Sequence, residues 1–452
     1  MSSPSSAASD STRSVPPRLW RDRDFRRLWV GQTASQLGEH TALIVLPLFA
    51  VLVLGAGAGE LGVLRAVGQA PVLVFSLFVG AWVDRWRTRT VMVVTDAGRT
   101  LVLGAAAVAG LLGLLGLPAL LVVAFAAGAL SVFFDVAYQA SLVRLVRRDQ
   151  LLRGNSALEG SRSAAQIGGP ALGGALVSVL SAPIAAACGA VFFALSFLSV
   201  RRIRRTETVP ERPERRPRVW RRIHEGLRFV VGDAPLRTVC LASAAFQFSF
   251  AAMMTVYLLF LPRELHLSGT AVGLVLAATG PGALLGSMLA ARLPGRFGHG
   301  AVLVGAAALG DGVFLCVPAL RGSSAVTVSA LLAIAFLFGT AGQLVNVTVM
   351  AVRQAVTPDG MQGRVAATIS FVGMGTAPLG SLLGGCLAGE WGLRTSLLVT
   401  AAGMLSSPVV MALSPLARLG RTLPAAQNGP VPAGRSEVHA CGLCRSRSRR
   451  RR

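Results

Sequence analysis

A few ionisable side chains lie inside long apolar segments of this sequence. Glu39 lies about eleven residues into the first of them, near the middle of a bilayer if a helix rises about 1.5 Å per residue. Asp135 and Asp311 lie in later apolar segments. Charged groups at membrane depth are costly, and they usually bind substrates or relay protons. We therefore expect Glu39 to be a proton or cationic-substrate site, with Asp135 and Asp311 as further candidates. Permanent pairing with an arginine is the alternative for Glu39, and a structural hydrogen bond is the alternative for Asp135.

Other charged residues in apolar segments have a simpler explanation. Asp96 and Arg99 are three residues apart on a predicted helix, and so are Glu159 and Arg162. Because side chains at that spacing share one helix face, both pairs are expected to be local ion pairs that hold helix ends together. Arg65, near the start of the second segment, would either line an outer cavity or extend its guanidinium to the membrane surface, and we expect the latter. Because the cavity is the alternative, Arg65 is also one of the candidate substrate or proton sites.

The stretch GAWVDRWRTR (residues 80–89) places several charges between two apolar segments. Gly80 permits close packing where the helices leave the membrane. Arg85 and Arg89 belong to the arginines that fix the orientation of a membrane protein, an effect to which acidic residues contribute little. Asp84 therefore requires a different explanation.

The composition is that of a protein that crosses a membrane several times. Of 452 residues, 53% are hydrophobic and 14% are charged, whereas a soluble domain carries about 25% charged residues. Mean hydropathy is +0.61, and all 44 basic residues are arginines. The lack of lysine excludes a Walker A lysine and a Schiff-base lysine, so we expect a proton gradient to be the driving force and expect no cofactor.

Twelve apolar segments are long enough to cross a bilayer, which takes about 20 residues of helix. They are 28–54, 61–83, 90–115, 118–143, 156–180, 182–200, 236–261, 270–291, 300–320, 324–350, 365–388 and 393–416. Arginine is abundant in both tails and in every second connection, and the other connections contain only Arg263, Arg321 and Arg394. Because arginine-rich segments stay in the cytoplasm, both termini are expected to be cytoplasmic and the protein to lie in the cell membrane.

These segments divide the chain into five regions. We expect a disordered cytoplasmic tail (1–27), a six-helix bundle (28–200), an Arg- and Pro-rich cytoplasmic linker (201–235), a second six-helix bundle (236–417) and a disordered basic tail (418–452). WRRIHEGLRFVV, late in the linker, has apolar residues at helical spacing, which favours a helix on the inner membrane surface over a plain solvated linker. The tail is expected to lie near anionic lipid.

The two bundles carry matching motifs. AFAAGALSVFFD (124–135) corresponds to AFLFGTAGQLVN (335–346), which aligns Asp135 with Asn346. GGPALGG in the fifth segment has a weaker partner, TAPLGSLLGG, in the eleventh, at a similar offset close to 210 residues. Two parallel six-helix repeats joined by a long connection are typical of alternating-access transporters, so Asn346 joins the candidate substrate or proton sites.

Two motifs resemble those of a known family. Residues 80–89 resemble the cytoplasmic loop signature between helices 2 and 3 of the major facilitator superfamily. Gly169, Pro170, Gly173 and Gly174 resemble the helix 5 signature of the drug–proton antiporters in that superfamily. The opening FRRLWVGQTASQLGEHTALIVLPLF is similar to a subgroup that includes enterobactin exporters and macrolide efflux pumps.

This resemblance implies an all-α integral membrane fold of twelve transmembrane helices in two six-helix pseudo-repeats. It also implies that Asp84 and the nearby arginines form a charge-relay latch between the halves in the outward-open state, with Asp84 facing the inner start of the eleventh helix. The helix 5 motif would form a pliable contact between the halves or a seal against leak. Ordinary small-residue packing is its alternative.

We therefore expect a secondary active transporter, not an enzyme, that exports a small amphiphilic molecule such as an antibiotic, a drug or a siderophore-like metabolite in exchange for protons. Its expected partners are that molecule and anionic lipid, without nucleic acid, and the protein is expected to be a monomer. An importer or uniporter of the same fold is one alternative. A membrane enzyme or sensor is another, but the five histidines are dispersed.

Two short patterns lack the context that their usual function needs. The GxGxxG match at 57–62 follows an apolar run too long for a strand and lies in an outer connection. Cys441 and Cys444 form a lone CxxC in the basic tail. We therefore expect neither a dinucleotide site nor a metal site.

Overall fold

The fold is described from a computed structural model, which covers residues 19–83, 86–146, 150–204, 219–358 and 361–421. Its regular structure is helical. The first half contains α1 (Arg23–Leu52), α2 (Ala58–Val83), α3 (Thr88–Leu111), α4 (Leu117–Leu145), α5 (Leu151–Val179) and α6 (Ala182–Arg201). The second half contains α7 (Val219–Gly232), α8 (Ala234–Arg263), α9 (Gly269–Ala277), α10 (Thr279–Ala290), α11 (Leu293–Phe297), α12 (His299–Gly312), α13 (Ala325–Val356), α14 (Gln362–Met404) and α15 (Ser406–Ala412). Short 3-10 helices cover Leu19–Arg21, Val313–Ala319 and Pro415–Arg418.

The predicted twelve-helix fold is confirmed. Within the described residues, ten segments are long and apolar enough to cross a membrane. One of them, Gln362–Ala412, contains two passes, because Gly392 has a φ of 76° and breaks the helix. The remaining pass is α5, which is less apolar because its first half carries Glu159 and Arg162. A helix satisfies every backbone hydrogen bond internally, which is why all passes are helical.

Each half packs as a bundle, and the two bundles meet mainly along two helix pairs. In the first half, α1 packs against α5 and α6, and α3 packs against α4 and α6. In the second half, α8 packs against α14, and α13 packs against α10 and α12. Across the halves, α2 contacts α14 and α5 contacts α9. Any movement of one half relative to the other must therefore loosen these two contacts.

The repeat is visible in close backbone contacts. A Cβ added at Gly128 in α4 would collide with the backbone of Gly68 in α2. A Cβ added at Gly339 in α13 would collide in the same way with Thr279. Gly339 follows Gly128, and Thr279 follows Gly68, by the same number of residues. The two halves thus use equivalent positions for equivalent helix contacts.

Buried apolar side chains join the halves at one end of the bundle. We call the end where α1 and α8 begin the arginine-rich end, and the opposite end the arginine-poor end. At the arginine-poor end a single cluster includes Phe49 of the first half and Tyr257 of the second. At the arginine-rich end, each cluster of described residues belongs to one half, for example around Leu158 or Val365. The halves are therefore closed against each other at the arginine-poor end.

The amphipathic segment before α8 is a helix, α7, which packs against α14. Glu225 accepts a hydrogen bond from Arg364 at 2.7 Å, and Val230 is buried. Leu227 and Val231 remain exposed. One face of α7 is thus held by the second bundle, and the described apolar side chains of Leu227 and Val231 lie on its exposed surface.

Candidate functional site

A buried arginine organises the interior of the first half. Arg99 of α3 is fully buried, with its guanidinium carbon 4.4 Å from the ring centre of Phe134 and 4.3 Å from that of Phe193. Its Nη2 donates to Asp96 at 2.5 Å and to the hydroxyl of Ser35 at 2.8 Å. The two rings exclude water from both faces of the guanidinium, which strengthens the bonds made at its edge.

Asp96 is the well-satisfied partner of this arginine. Besides Arg99, it accepts hydrogen bonds from Ser196 of α6 at 2.5 Å and from Ser35 of α1 at 3.3 Å. It is fully buried. The structure therefore contains the ion pair expected between Asp96 and Arg99, and the pair connects α1, α3 and α6.

Glu39 is held by the same arginine, but loosely. Its Oε2 lies 3.7 Å from Nη1 of Arg99 and has no hydrogen-bond partner among the described residues. Its side chain is 24% exposed, whereas that of Asp96 is fully buried. Pairing with an arginine, the alternative reading of Glu39, is therefore present. Its Oε2 is buried although the side chain is partly exposed, so of the two carboxylates beside Arg99 Glu39 is the less enclosed and the more weakly held.

Asp135 of α4 lies near the group formed by Arg99, Asp96 and Glu39. Its Oδ1 accepts a hydrogen bond from Nε2 of Gln36 at 3.4 Å, a long bond that holds it weakly. Asp135 and Glu39 influence each other electrostatically, and the charges of Arg99 and Arg162 act on both. The contact of Glu39 with Arg99 and the bond from Gln36 to Asp135 thus bring α1, α3 and α4 together around these carboxylates.

The ion pair expected between Glu159 and Arg162 does not form within 4.0 Å in the described part of the chain. Glu159 is exposed, and an exposed pair of this kind contributes about 0–1 kcal/mol. Arg162 instead has a buried Nε without a hydrogen-bond partner among the described residues, and its charge acts on the carboxylates of Glu39 and Asp135. Glu159 and Arg162 line one pocket together with Tyr138, but they do so without an ion pair between them.

A second polar feature lies between the halves, beneath the arginine-poor end. A cavity of about 290 Å³ is lined by Arg65 and Gln166 of the first half and by residues such as Phe250, Tyr257 and Phe338 of the second. The expectation that Arg65 extends to the membrane surface is wrong, because the residue lies in the wall of this cavity. The guanidinium Nε is buried and has no hydrogen-bond partner in the described chain.

The helix 5 motif closes the cavity at the arginine-poor end. A Cβ added at Gly174 in α5 would lie 2.7 Å from the Cα of Gly273 in α9. In the equivalent contact, a Cβ at Gly385 in α14 would lie 2.9 Å from the Cα of Gly62 in α2. Gly385 follows Gly174, and Gly273 follows Gly62, by the same number of residues. Only residues without a side chain allow the halves to approach this closely.

The remaining motif residues face both directions from α5. Gly169 packs against His40 of α1, and Gly173 packs against Thr41. The carbonyl oxygen of Pro170 lies against Gly273 across the interface. The motif therefore packs α5 against α1 of its own half on one face and against α9 of the other half on another face.

Hydrogen bonds across the halves accompany the glycine contacts. They join Gln69 to Ser381 (3.1 Å), the backbone N–H of Thr270 to Ser178 (2.6 Å), and Arg263 to the carbonyl of Ala56 (2.6 Å) and that of Gly55 (3.2 Å). The bonds of Thr270 and Arg263 lie at the arginine-poor ends of their helices, whereas Gln69 and Ser381 meet within α2 and α14. They are local contacts that a separation of the halves would break.

The second half has its own cavity, of about 320 Å³, lined by both Asp311 and Asn346. Asp311 is 4% exposed, and its Oδ2 has no hydrogen-bond partner among the described residues. Gln247 and Arg353 line the same cavity. The structure thus separates the sequence-derived candidates into Glu39 and Asp135 in one half, and Asp311 and Asn346 in the other. No group of three metal-ligating side chains was found in the described ranges.

Part of the loop motif lies beyond the described residues. Gly80 belongs to α2, whereas Asp84 and Arg85 lie outside the described residues, so the latch remains a prediction. Arg89 donates a hydrogen bond to the carbonyl of Arg201 at the end of α6. This contact stays within the first half.

The sequence reasoning missed several polar residues that the structure brings to these sites. Ser35 and Ser196 bind Asp96, and nothing in their spacing indicated a shared partner. Tyr257 lines the cavity between the halves, and its buried hydroxyl has no hydrogen-bond partner within the described ranges. It is one of two tyrosines in the chain, and that rarity inside an apolar segment was the available signal.

Comparison with known proteins gives consistent results. A family model described as "transmembrane secretion effector" matches residues 17–433. The multidrug efflux pump Tap of Mycolicibacterium fortuitum is 27% identical over 402 residues, which cover 83% of this chain and 96% of that pump. Tap of Mycobacterium tuberculosis (strain ATCC 25618 / H37Rv) is 26% identical over 411 residues, covering 84% and 91%.

Solved structures resemble the fold. A crystal structure of a bacterial homologue of the iron transporter ferroportin in the inward-facing state superposes with a TM-score of 0.70. It covers 86% of this chain and 98% of that chain, at 18% sequence identity. At this identity the likeness concerns the fold alone.

Proposed function

Because the chain belongs to the transmembrane secretion effector family of the major facilitator superfamily, we propose that it exports a small amphiphilic molecule in exchange for protons. The family and the named relatives are transporters, and the chain is a multi-pass membrane protein. Two relatives that align over most of their length are named multidrug efflux pumps, and this name supports export. Substrate would bind between the halves and leave when they exchange their open and closed ends.

The arginine-rich end is assigned to the cytoplasm of a cell membrane. Arginines in every second connection support this, because positively charged segments are retained on the cytoplasmic side. Both termini are then cytoplasmic. The closed arginine-poor end would then face the outside, and the open end would receive substrate from the cytoplasm.

Glu39 is assigned as the proton site, and the observation that carries this assignment is its contact with Arg99. The side chain is partly exposed, and its Oε2 lies 3.7 Å from a guanidinium that already binds Asp96 more closely. Protonation of Glu39 would remove its attraction to Arg99 while leaving that arginine paired. Only a difference in proton affinity between the two states can bias their equilibrium, and a change in the surroundings of Glu39 when the halves separate would supply that difference. Asp135 is the second candidate.

Transport by a charge-neutral variant tests this assignment. In a host lacking its own efflux pumps, the wild-type protein should lower drug accumulation, and a proton uncoupler should abolish the effect. Glu39→Gln should reduce uncoupler-sensitive export about tenfold or more, and its remaining export should not depend on pH. Glu60→Gln is the matched control, because Glu60 lies in the first turn of α2 at the arginine-poor end.

The outcome can contradict either part of the proposal. Export by Glu39→Gln that still follows the proton gradient would exclude Glu39 as the coupling site. Direction is tested separately, by comparing uptake into inside-out vesicles with uptake into whole cells. Accumulation in cells, without uptake by inside-out vesicles, would favour an importer.

A further inference from the structure

The cavity between the halves presents hydrogen-bond donors that the protein leaves unused. In the described chain, the Nε of Arg65 and the hydroxyl of Tyr257 are buried without a hydrogen-bond partner, although both residues line this cavity. Tyr257 is 1% exposed. Gln166 lines the same space from α5. A buried donor without a partner is destabilising, and more so when it is charged, so this arrangement is expected where a ligand completes it.

The charge of the cavity is of one sign. Among the described lining residues, Arg65 is the one charged side chain, and no carboxylate faces it across the space. The acidic residues of the first half, Glu39 and Asp135, belong to the separate group around Arg99. A cationic ligand would therefore meet a like charge here, whereas an anionic group would find its counter-ion.

The rest of the cavity is apolar and partly aromatic. Phe314 stands edge-on to Tyr257 with ring centres 5.7 Å apart, and Phe338 packs against Phe314 at 5.0 Å and against Phe250 at 5.6 Å. These rings form a continuous wall on the second half. The opposite side carries the guanidinium of Arg65. Such a cavity suits a flat apolar body with its polar group at one side.

We propose that this cavity binds amphiphilic organic carboxylates. The carboxylate would accept two parallel hydrogen bonds from Arg65, the geometry for which a guanidinium is shaped, and a third from the hydroxyl of Tyr257. The aromatic body would lie against Phe250, Phe314 and Phe338. This inference rests on the proposed export function, and it names the substrate class of that transporter.

The cavity also lies next to the contacts that close the arginine-poor end. Arg65 lies one turn along α2 from Gly62, and Pro170 lies one turn along α5 from Gly174; both glycines form the contacts between the halves. Pro170 itself lines the cavity. A ligand that neutralises Arg65 therefore acts beside the contacts that must open to release it.

A matched ligand series separates charge from shape. The probes are 2-naphthoate, its neutral isostere 2-naphthamide and the cationic 2-naphthylmethylammonium, each titrated into purified full-length protein in lipid nanodiscs by calorimetry. Naphthoate should bind about tenfold to a hundredfold more tightly than naphthamide, since hydrogen bonds to charged groups are the stronger ones. The cation should bind most weakly. Equal affinities, or preference for the cation, would overturn the proposal without any variant being needed.

Substitutions of the lining residues test which side chains cause the preference for naphthoate. Arg65→Gln should remove the selectivity for naphthoate over naphthamide, and Tyr257→Phe should reduce it by a few fold. Arg65→Lys, which keeps the charge, should retain part of it. Arg321→Gln is the control, because Arg321 is an exposed arginine near the arginine-poor end. Unchanged selectivity in folded Arg65→Gln would place the anion elsewhere.

The substrate class and the export function fail in different ways. If the wild-type protein drives uncoupler-sensitive drug efflux but does not prefer naphthoate, the carboxylate proposal is wrong and the export proposal stands. If it prefers naphthoate but moves no compound under a proton gradient, the export proposal is wrong. Naphthoate that binds selectively and also competes with efflux supports both.

Discussion

Glu39 and Asp96 share one buried cation: Glu39 lies 3.7 Å from Nη1 of Arg99, and Asp96 lies 2.5 Å from its Nη2. Asp96 is further held by two serine hydroxyls, and Glu39 by no hydrogen bond among the described residues. The arginine therefore keeps a partner whether or not Glu39 carries a proton. Asp96 is therefore expected to remain paired with Arg99, whereas Glu39 is expected to gain and lose a proton.

Removing the shared cation should destabilise the first half. Arg99→Met leaves Asp96 as an uncompensated buried charge, and breaking a buried pair in this way costs about 3–5 kcal/mol. Thermal or denaturant unfolding in detergent measures the loss. The double variant Arg99→Met, Asp96→Asn should recover a substantial part of it, because it removes the stranded charge as well. A double variant less stable than the single one would contradict this account.

A methyl group at the interface between the halves should open the arginine-poor end. Gly174→Ala forces a Cβ against the backbone of α9, and overpacking of this kind costs about 1–3 kcal/mol in the closed state. A cysteine introduced at the buried Leu267 should then react at least about fivefold faster with an impermeant maleimide.

Gly168→Ala is the control for that change, because a Cβ at Gly168 meets no heavy atom within 4 Å. The same residue type is replaced in the same helix, without the clash. It should leave labelling unchanged and add slightly to helix stability. Equal labelling of the Gly168 and Gly174 variants would show that the glycine contact does not hold the end closed.

Arg263 should help to hold the same end closed. It donates to the carbonyls of Ala56 and Gly55 across the interface, and each such bond contributes about 0.5–1.5 kcal/mol. Arg263→Gln should shift the population toward the open state by about twofold to tenfold, as measured by spin-label distances between the halves. Arg321→Gln removes an exposed arginine near this end and should not shift those distances.

Asp84 should be required for transport but not for insertion. The arginines of residues 80–89 are sufficient for orientation, so Asp84→Asn should insert and fold normally while losing about tenfold or more of its transport. Expression in membranes and efflux are measured on the same cells. Full transport by this variant would reduce the motif to an orientation signal.

Local patterns predicted much of this architecture. Apolar length gave the twelve passes, because a bilayer imposes a minimum helix length whatever the packing. Two matched motifs gave the repeat that the contacts of Gly128 and Gly339 display. The placement of Arg65 and the pairing of Arg162 were predicted wrongly. Both predictions considered one helix at a time, and both side chains are positioned by neighbouring helices.

By itself, the sequence determined the fold class, the division into halves and the short set of residues that could carry charge inside the membrane, since each of these depends on composition and on spacing along a single helix. The tertiary structure decided which of those residues meet. It placed Asp96 closer to Arg99 than Glu39. It also left the Nε of Arg65 and the hydroxyl of Tyr257 without a hydrogen-bond partner in the described chain. The reason is physical: contacts between helices depend on how each helix is rotated and how closely it packs, and small residues such as Gly174 set that distance only when the opposing helix is in place.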